Sequence, residues 1–328
     1  MSTPVSTVRV DVTFGPEERA AQLRAEAADG LASTPKWLSP KWFYDERGSH
    51  LFDEITRLPE YYLTRREREI LTERSAEIAS ETCADTLVEL GSGTSEKTRL
   101  LLDALADAGT LRQFVPFDVS EETLRSSAAA IADEYAGVDV HAVVGDFQRQ
   151  LSTLPDGFST RVLAFLGSSI GNFGPKERER FLAAAAAVLR PGEWFLCGFD
   201  LVKDPARLEA AYNDSAGVTA EFNRNVLCVL DRELHADFDP DAFEHVAFYD
   251  RTNEWIEMRL RARRGQRVRV HDLALAVEFE AGEEMRTEIS AKFRRDRVDA
   301  DLAAAGFQLT HWWTDAAGEF ALALARRG

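Results

Sequence analysis

The run Glu89-Leu90-Gly91-Ser92-Gly93-Thr94-Ser95 carries the sharpest chemical signal in the chain. It follows a short apolar segment and precedes a helical pattern, the setting in which a glycine turn holds a nucleotide. Glycine adopts backbone angles closed to other residues and lets the chain pass close to a ligand. Glu96 stands where the third glycine of a dinucleotide fingerprint would fall. That departure argues against NAD, whose pyrophosphate needs a tight helix approach. A short E-x-G-x-G loop suits a phosphate-free nucleoside such as S-adenosylmethionine. Asp118 ends the next apolar run, where a carboxylate can bind both ribose hydroxyls. The plainer alternative is a helix cap, a role that Ser120 fills more naturally. Gly145-Asp146-Phe147 ends the third run. There Asp146 can accept from an adenine amino group and Phe147 can cover the ring, or the three residues form a simple turn. Three such sites at successive strand ends would line one crevice.

No catalytic triad or metal motif accompanies the loop. The six histidines, at 50, 141, 235, 245, 271 and 311, show no HxxxH or HExxH spacing, so no metal is expected. Cys83, Cys197 and Cys228 are far apart and form no CxxC pair. That disfavours both a disulfide framework and a zinc site, and fits a reducing cytoplasm. A methyl donor fits this sparse inventory, because an activated sulfonium asks the protein mainly for alignment.

The elements that must position these residues follow from periodicity. The 328 residues, 45% hydrophobic, suffice for one large domain or two interlocked ones. Residues 1–14 are expected to be a loose terminus, without the apolar h-region of a secretory signal. An amphipathic helix begins at Pro16. Residues 35–67, with two Trp, two Phe and three Tyr, are too aromatic for a linker. A helix over 65–80 then leads into alternation. Strands are expected at TLVEL, 114–119, 138–147, 161–169 and 193–202, with helices at 95–108, 120–133 and 176–190. Such alternation implies a parallel sheet covered on both faces. Residues 205–232 read as helical, 243–293 as antiparallel strands, and the end as a helix and two strands. The expected fold is thus α/β, with a Rossmann-like domain over 67–202 and 293–328. A second, discontinuous α+β domain spans 15–66 and 203–292. The net charge of −17 repels phosphate backbones and anionic lipid, so nucleic acid and membranes are not expected partners. No segment has the length and apolarity of a membrane span. A cytoplasmic monomer is the expectation.

Longer motifs are more specific than the glycine loop. KWFYDERGSHLFDEITRLPEYYLTR, LVELGSGTSEKTRLLLDAL, PFDVS, GDF, FLGSSIGN, DLVKD, AGVTAEFNRNVL and GEEMRTEISAKF together resemble the histidine Nα-methyltransferases of ergothioneine biosynthesis, from about Pro35 to Leu324. The resemblance implies a class I methyltransferase domain whose parallel sheet ends in an antiparallel strand, and a substrate-binding second domain. It implies S-adenosylmethionine as cofactor, S-adenosylhomocysteine as product, and three methyl transfers to the α-nitrogen of L-histidine, giving hercynine. Carried over by motif, the cofactor residues are Tyr44, Gly91, Lys97, Asp118, Asp146 and Phe147. The substrate residues are Tyr61, Gly167, Asn172, Tyr212, Met258, Glu288 and Ser290.

The residue types agree with those roles. Asn172 and Tyr212 can donate to a carboxylate, although Asn172 also suits a helix cap and Tyr212 an amphipathic helix. Glu288 and Ser290 lie two apart, on one face of a strand. A carboxylate and a hydroxyl can pair with the two nitrogens of an imidazole; a solvated strand face is the alternative. Met258 suits a core position or a flexible contact to a ring. The α-amine must lose a proton, and Tyr44 and Tyr61 are the expected catalytic contacts, without a strong base. The surrounding aromatic residues suit a growing methylammonium. Rival readings are a methyltransferase for another amino acid or small amine, a non-catalytic S-adenosylmethionine-binding protein, and an NAD-dependent oxidoreductase.

Overall fold

The computed structural model describes residues 8–328. In chain order, β1 (Val8–Val12) is followed by α1 (Pro16–Ala32), α2 (Glu46–Arg57) and α3 (Leu63–Thr82). Then come β2 (Thr86–Leu90), α4 (Arg99–Asp107), β3 (Gln113–Asp118), α5 (Glu121–Glu134), β4 (Asp139–Val144) and the short α6 (Phe147–Gln150). β5 (Arg161–Phe165), α7 (Pro175–Val188) and β6 (Trp194–Asp200) complete the alternation. α8 (Pro205–Tyr212) and α9 (Val218–Leu234) lead to β7 (Phe243–Asp250), β8 (Trp255–Ala262), β9 (Gln266–Val270), β10 (Leu275–Phe279) and β11 (Glu284–Ala291). α10 (Arg295–Ala304), β12 (Phe307–Thr314) and β13 (Phe320–Arg327) end the chain. Two compact units result. The first contains the described residues up to Phe14, Leu63–Val202 and Phe293–Gly328; the second contains Gly15–Tyr62 and Lys203–Lys292.

The first unit is built on one sheet, ordered β1-β4-β3-β2-β5-β6-β13-β12. β1 to β6 pair in parallel, and β13 runs antiparallel to β6. Every residue of β2, β5 and β6 is buried, which is why these strands read as continuous apolar runs rather than alternating ones. The strand order reverses between β2 and β5. That is the switch point at which α/β sheets open a crevice beyond their carboxyl ends.

Of the N-terminal segment expected to be loose, residues 1–7 lie outside the described residues, and the part from Val8 departs from expectation. Val8–Val12 are not loose but form an edge strand in register with β4, Val8 opposite Val140 and Val12 opposite Val144. Val8, Val10 and Val12 alternate with polar residues, a β-branched period-two pattern too short and exposed to stand out. His141 Nε2 and Asp11 Oδ2, 2.6 Å apart, pin the edge. α4 also starts later than its periodicity suggests, at Arg99. Ser95 adopts a left-handed φ of 52°, so residues 95–98 are a turn, and Lys97 lies ahead of the helix.

The second unit holds a three-stranded antiparallel sheet, β11-β8-β7, and a β9–β10 hairpin. Phe43, in the short turn ahead of α2, packs on Phe222 of α9, with ring centroids 4.7 Å apart. Asp45 caps α2 by accepting from the Gly48 amide, and it also accepts from Asn225 and Arg232 of α9. Burial pushes the Asp45 carboxyl up, but the Gly48 amide, Arg232 and Asn225 outweigh it and hold it below the ordinary range. The aromatic stretch ahead of α3 thus packs within this unit.

Candidate active site

In the first unit the site begins with the turn after β2. The amides of Gly91 and Ser92 both donate to the Phe117 carbonyl, at 2.8 and 3.2 Å. Gly91 has φ 66° and Gly93 φ 50°, angles at which a side chain is strained. A Cβ on Gly91 would lie 3.7 Å from the Phe147 ring. The loop's bare backbone therefore leaves a slot beside an aromatic edge. Ser92 Oγ is buried and makes no hydrogen bond, an orphaned polar atom of the kind a ligand satisfies.

Asp118, at the end of β3, accepts from the Gly93 amide through Oδ2 and from the Ser120 amide through Oδ1, both at 2.9 Å. Ser120 is the N-cap residue of α5, but its side chain makes no capping bond; its hydroxyl goes to Thr123. The cap alternative for Asp118 therefore holds in part, since it binds the Ser120 amide. Two amides leave a carboxylate with further acceptor sites. Burial raises the Asp118 carboxyl above its ordinary value against the pull of both amides. Asp146 caps α6 by accepting from the Gln148 amide at 2.9 Å, so the turn alternative is also realised. The ring of Phe147 meets Phe165 edge-on, with centroids 5.3 Å apart. Gly91, Asp118 and Asp146 stand at the carboxyl ends of three adjacent strands, β2, β3 and β4.

Lys97 and Gly167 meet at a residue that no motif announced. Glu67 of α3 is completely buried. One of its oxygens accepts from Lys97 Nζ, the other from the Gly167 amide at 2.7 Å. A Cβ on Gly198 would fall 2.2 Å from that second oxygen, so β6 must carry glycine there for the carboxylate to fit. Glu89 is buried beneath the same loop and accepts from the hydroxyls of Thr98 and Ser95. Burial drives its carboxyl up to about 7, against the pull of Thr98, Lys97 and Ser95. Asn172 ends a short turn after β5, while Gly174 is the N-cap of α7. The helix-cap alternative for Asn172 therefore fails.

The second unit gathers the remaining residues. Tyr212 ends α8, and its hydroxyl lies 2.7 Å from Ser290 Oγ of β11. Lys292 Nζ donates to both oxygens, at 3.0 Å to Tyr212 and 2.9 Å to Ser290. All three side chains are buried. Glu288 stands opposite Met258 in the β11–β8 register, and Ser290 opposite Ile256. A bulge between Arg286 and Glu288 shifts the register just ahead of this pair. Met258 is a core residue, 2% exposed. An aromatic cluster adjoins. Tyr61 meets Tyr212 at 6.4 Å and Phe52 at 6.1 Å between centroids, and Tyr44 meets Phe52 and Phe222 at 5.6 Å each. His245 is neutral: Asn223 donates to its Nδ1, and its Nε2–H goes to the Tyr212 carbonyl. Burial lowers its pKa.

Gly91, Lys97, Asp118, Asp146, Phe147, Gly167 and Asn172 thus belong to the first unit, and Tyr44, Tyr61, Tyr212, Met258, Glu288 and Ser290 to the second. A family model described as histidine-specific methyltransferase, SAM-dependent, matches residues 23–327. The chain belongs to that family. It is 58% identical over 322 residues to a histidine N-alpha-methyltransferase of Mycobacterium tuberculosis, covering 98% of this chain and 100% of the relative. It is also 58% identical over 311 residues to the Mycolicibacterium smegmatis protein of that name, covering 95% and 97%. The ergothioneine biosynthesis protein 1 of Neurospora crassa is 32% identical over 298 residues, covering 85% of this chain and 32% of that longer relative.

Membership makes S-adenosylmethionine the cofactor of this methyltransferase, and the residues present fit it. The orphaned Ser92 hydroxyl, the open slot at Gly91 and the spare acceptor sites of Asp118 suit a nucleoside. Sequence reasoning missed Glu67 and Lys292. Glu67 leaves no signal, because it lies in a helix rich in charged residues. Lys292 does: it continues the two-residue step of Glu288 and Ser290. Among the described residues no helix is long and apolar enough to cross a membrane.

Proposed function

We propose that this methyltransferase transfers three methyl groups in succession to the α-amino nitrogen of L-histidine, giving hercynine, the first step of ergothioneine biosynthesis. The observation that carries the reading is 58% identity over nearly the whole chain to histidine N-alpha-methyltransferases. S-adenosylmethionine supplies an electrophilic methyl carbon on a sulfonium. Asp118 binds the ribose diol, Phe147 covers the base, Asp146 accepts from its amino group, and Lys97 takes the carboxylate of the methionine portion. Gly91 keeps the backbone clear.

For histidine, Asn172 and Tyr212 donate to the carboxylate, and Glu288 and Ser290 pair with the imidazole. An alkyl or indole side chain would strand the Glu288 carboxylate, at about 1–3 kcal/mol or more. The amine, with an α-amino pKa of about 8, must shed its proton before it attacks. The hydroxyls of Tyr44 and Tyr61 hydrogen-bond to the amine and pass its proton on to water, because a neutral phenol cannot keep it. The faces of Tyr44, Tyr61, Phe52 and Phe222 attract the methylammonium as it grows, at about 0.5–2 kcal/mol per contact. The reading is tested with methyl-labelled S-adenosylmethionine and histidine, locating the label by NMR. Three labelled methyls on the α-nitrogen are expected. Label on a ring nitrogen would contradict the assignment of Glu288 and Ser290.

A further inference from the structure

β1 buries little apolar surface, since Val8 and Val12 stay nearly half exposed. Hydrophobic burial therefore does little to hold it, and polar contacts must. Besides the ladder with β4 and the Asp11–His141 pair, such contacts run on past the end of the strand. The Thr13 amide and hydroxyl both donate to the Val144 carbonyl, each at 2.9 Å. That carbonyl directly precedes Gly145 and Asp146. A Cβ on Gly145 would lie 2.8 Å from Thr13 Oγ1 and 2.6 Å from the Phe117 ring, so the turn is closed between the N-terminal segment and β3. Gln150, at the end of α6, completes the tie. Its Oε1 accepts from the Asp146 amide at 2.8 Å, and its Nε2 donates to the Thr13 carbonyl. A carboxamide has one accepting end and one donating end, so these two partners fix its orientation. Asp146 is thus held by its amide on Gln150, by its carbonyl under the amides of Arg149 and Gln150, both at 2.9 Å, and by its carboxylate on the Gln148 amide. The first of these bonds ties the turn to the N-terminal segment; the others are the turn's own.

We infer that β1, Thr13 and Gln150 form a brace that positions Asp146 for the adenine of the cofactor. This rests on the functional reading above, in which Asp146 accepts from the adenine amino group. A hydrogen bond weakens steeply as its angle and distance depart from the ideal, so the discrimination a carboxylate exerts depends on how firmly its backbone is held. α6 is a single turn, too short to hold that backbone by itself. A strand that merely covered the edge of β4 would need only the ladder. The Thr13 and Gln150 bonds lie beyond the ladder and end on the Val144–Asp146 turn. Gln150 acts through Asp146, as a positioning residue.

The test compares S-adenosylhomocysteine with its analogue carrying purine in place of adenine, which lacks the amino group. Kd for each is measured by calorimetry on wild type, Gln150→Met, Thr13→Pro and Asp146→Ala, and the melting temperature of each protein is recorded. Gln150→Met keeps the side-chain length and removes both carboxamide bonds. Thr13→Pro removes both bonds to the Val144 carbonyl from the other side of the brace. Wild type is expected to prefer S-adenosylhomocysteine about tenfold or more, the scale of a charge-assisted bond, and Asp146→Ala to bring the ratio close to one. Gln150→Met and Thr13→Pro are each expected to reduce the ratio to about threefold or less. A purely structural role would lower the melting temperature or weaken both ligands alike and leave the ratio unmoved. Either variant keeping the wild-type ratio overturns the inference, even with a lowered melting temperature. Wild type without the preference, or Asp146→Ala that retains it, overturns the assignment of Asp146 to the adenine instead.

Discussion

Glu288 and Glu89 are both carboxylates on strands, and their surroundings give them opposite uses. Glu288 is half-buried on β11, two residues before Ser290. Glu288→Ala is expected to raise KM for histidine about tenfold or more, the loss of one charge-assisted bond, while calorimetry shows cofactor affinity unchanged. Equal loss for both ligands would place Glu288 in the scaffold instead. Glu89 is a scaffold residue, sealed beneath the glycine loop. Its carboxyl sits at about 7 in the folded protein, against an ordinary 4.5. The fold therefore binds more protons at this site than the unfolded chain between those values. The contribution is fully present below about pH 4.5 and is lost as pH rises through about 7. Denaturant titrations of wild type and Glu89→Gln should show the variant gaining relative stability with rising pH across that window. A constant difference would refute the shift. The motif signals that stood out at this scale lie at the carboxyl ends of strands, as at Gly91 and Asp118. Glu67 was not legible, because a buried charge in a helix of charged residues has no local signature.

At the scale of elements, α3 and β6 show how a neighbour dictates a residue. Glu67 on α3 reaches Lys97 and the Gly167 amide only because Gly198 leaves it room. Gly198→Ala would put a methyl 2.2 Å from the carboxylate in a completely buried strand. It should cost about 1–3 kcal/mol, read as a lower melting temperature, together with weaker cofactor binding as Lys97 shifts. An unchanged melting temperature would mean that Glu67 is free to move aside. The buried strands β2, β5 and β6 were legible from their apolar runs. The edge strand β1 was not, since its pairing with β4 comes from more than a hundred residues away. The start of α4 departs from the sequence pattern for a local reason. The helical pattern continues back to Ser95, but the left-handed backbone there breaks it.

For the whole molecule, the two-piece organisation follows from a change of period. Strand–helix alternation stops after β6, antiparallel strands intervene, and α10 to β13 return to the first sheet. Family membership then predicts linkage between ligand and stability. S-adenosylhomocysteine at about 100 times its Kd should stabilise the unit that binds it by about 2.7 kcal/mol, seen as a rise of several degrees in melting temperature. Asp118→Ala should lose most of that rise, and a full rise in the variant would remove Asp118 from the cofactor site.

The most direct test of histidine as substrate is a competition. The purified protein is incubated with S-adenosylmethionine and an equimolar panel of the twenty amino acids, and products are read by mass spectrometry. The expected result is a gain of three methyl masses on histidine alone. Methylation of a different amino acid, with histidine untouched, would contradict it.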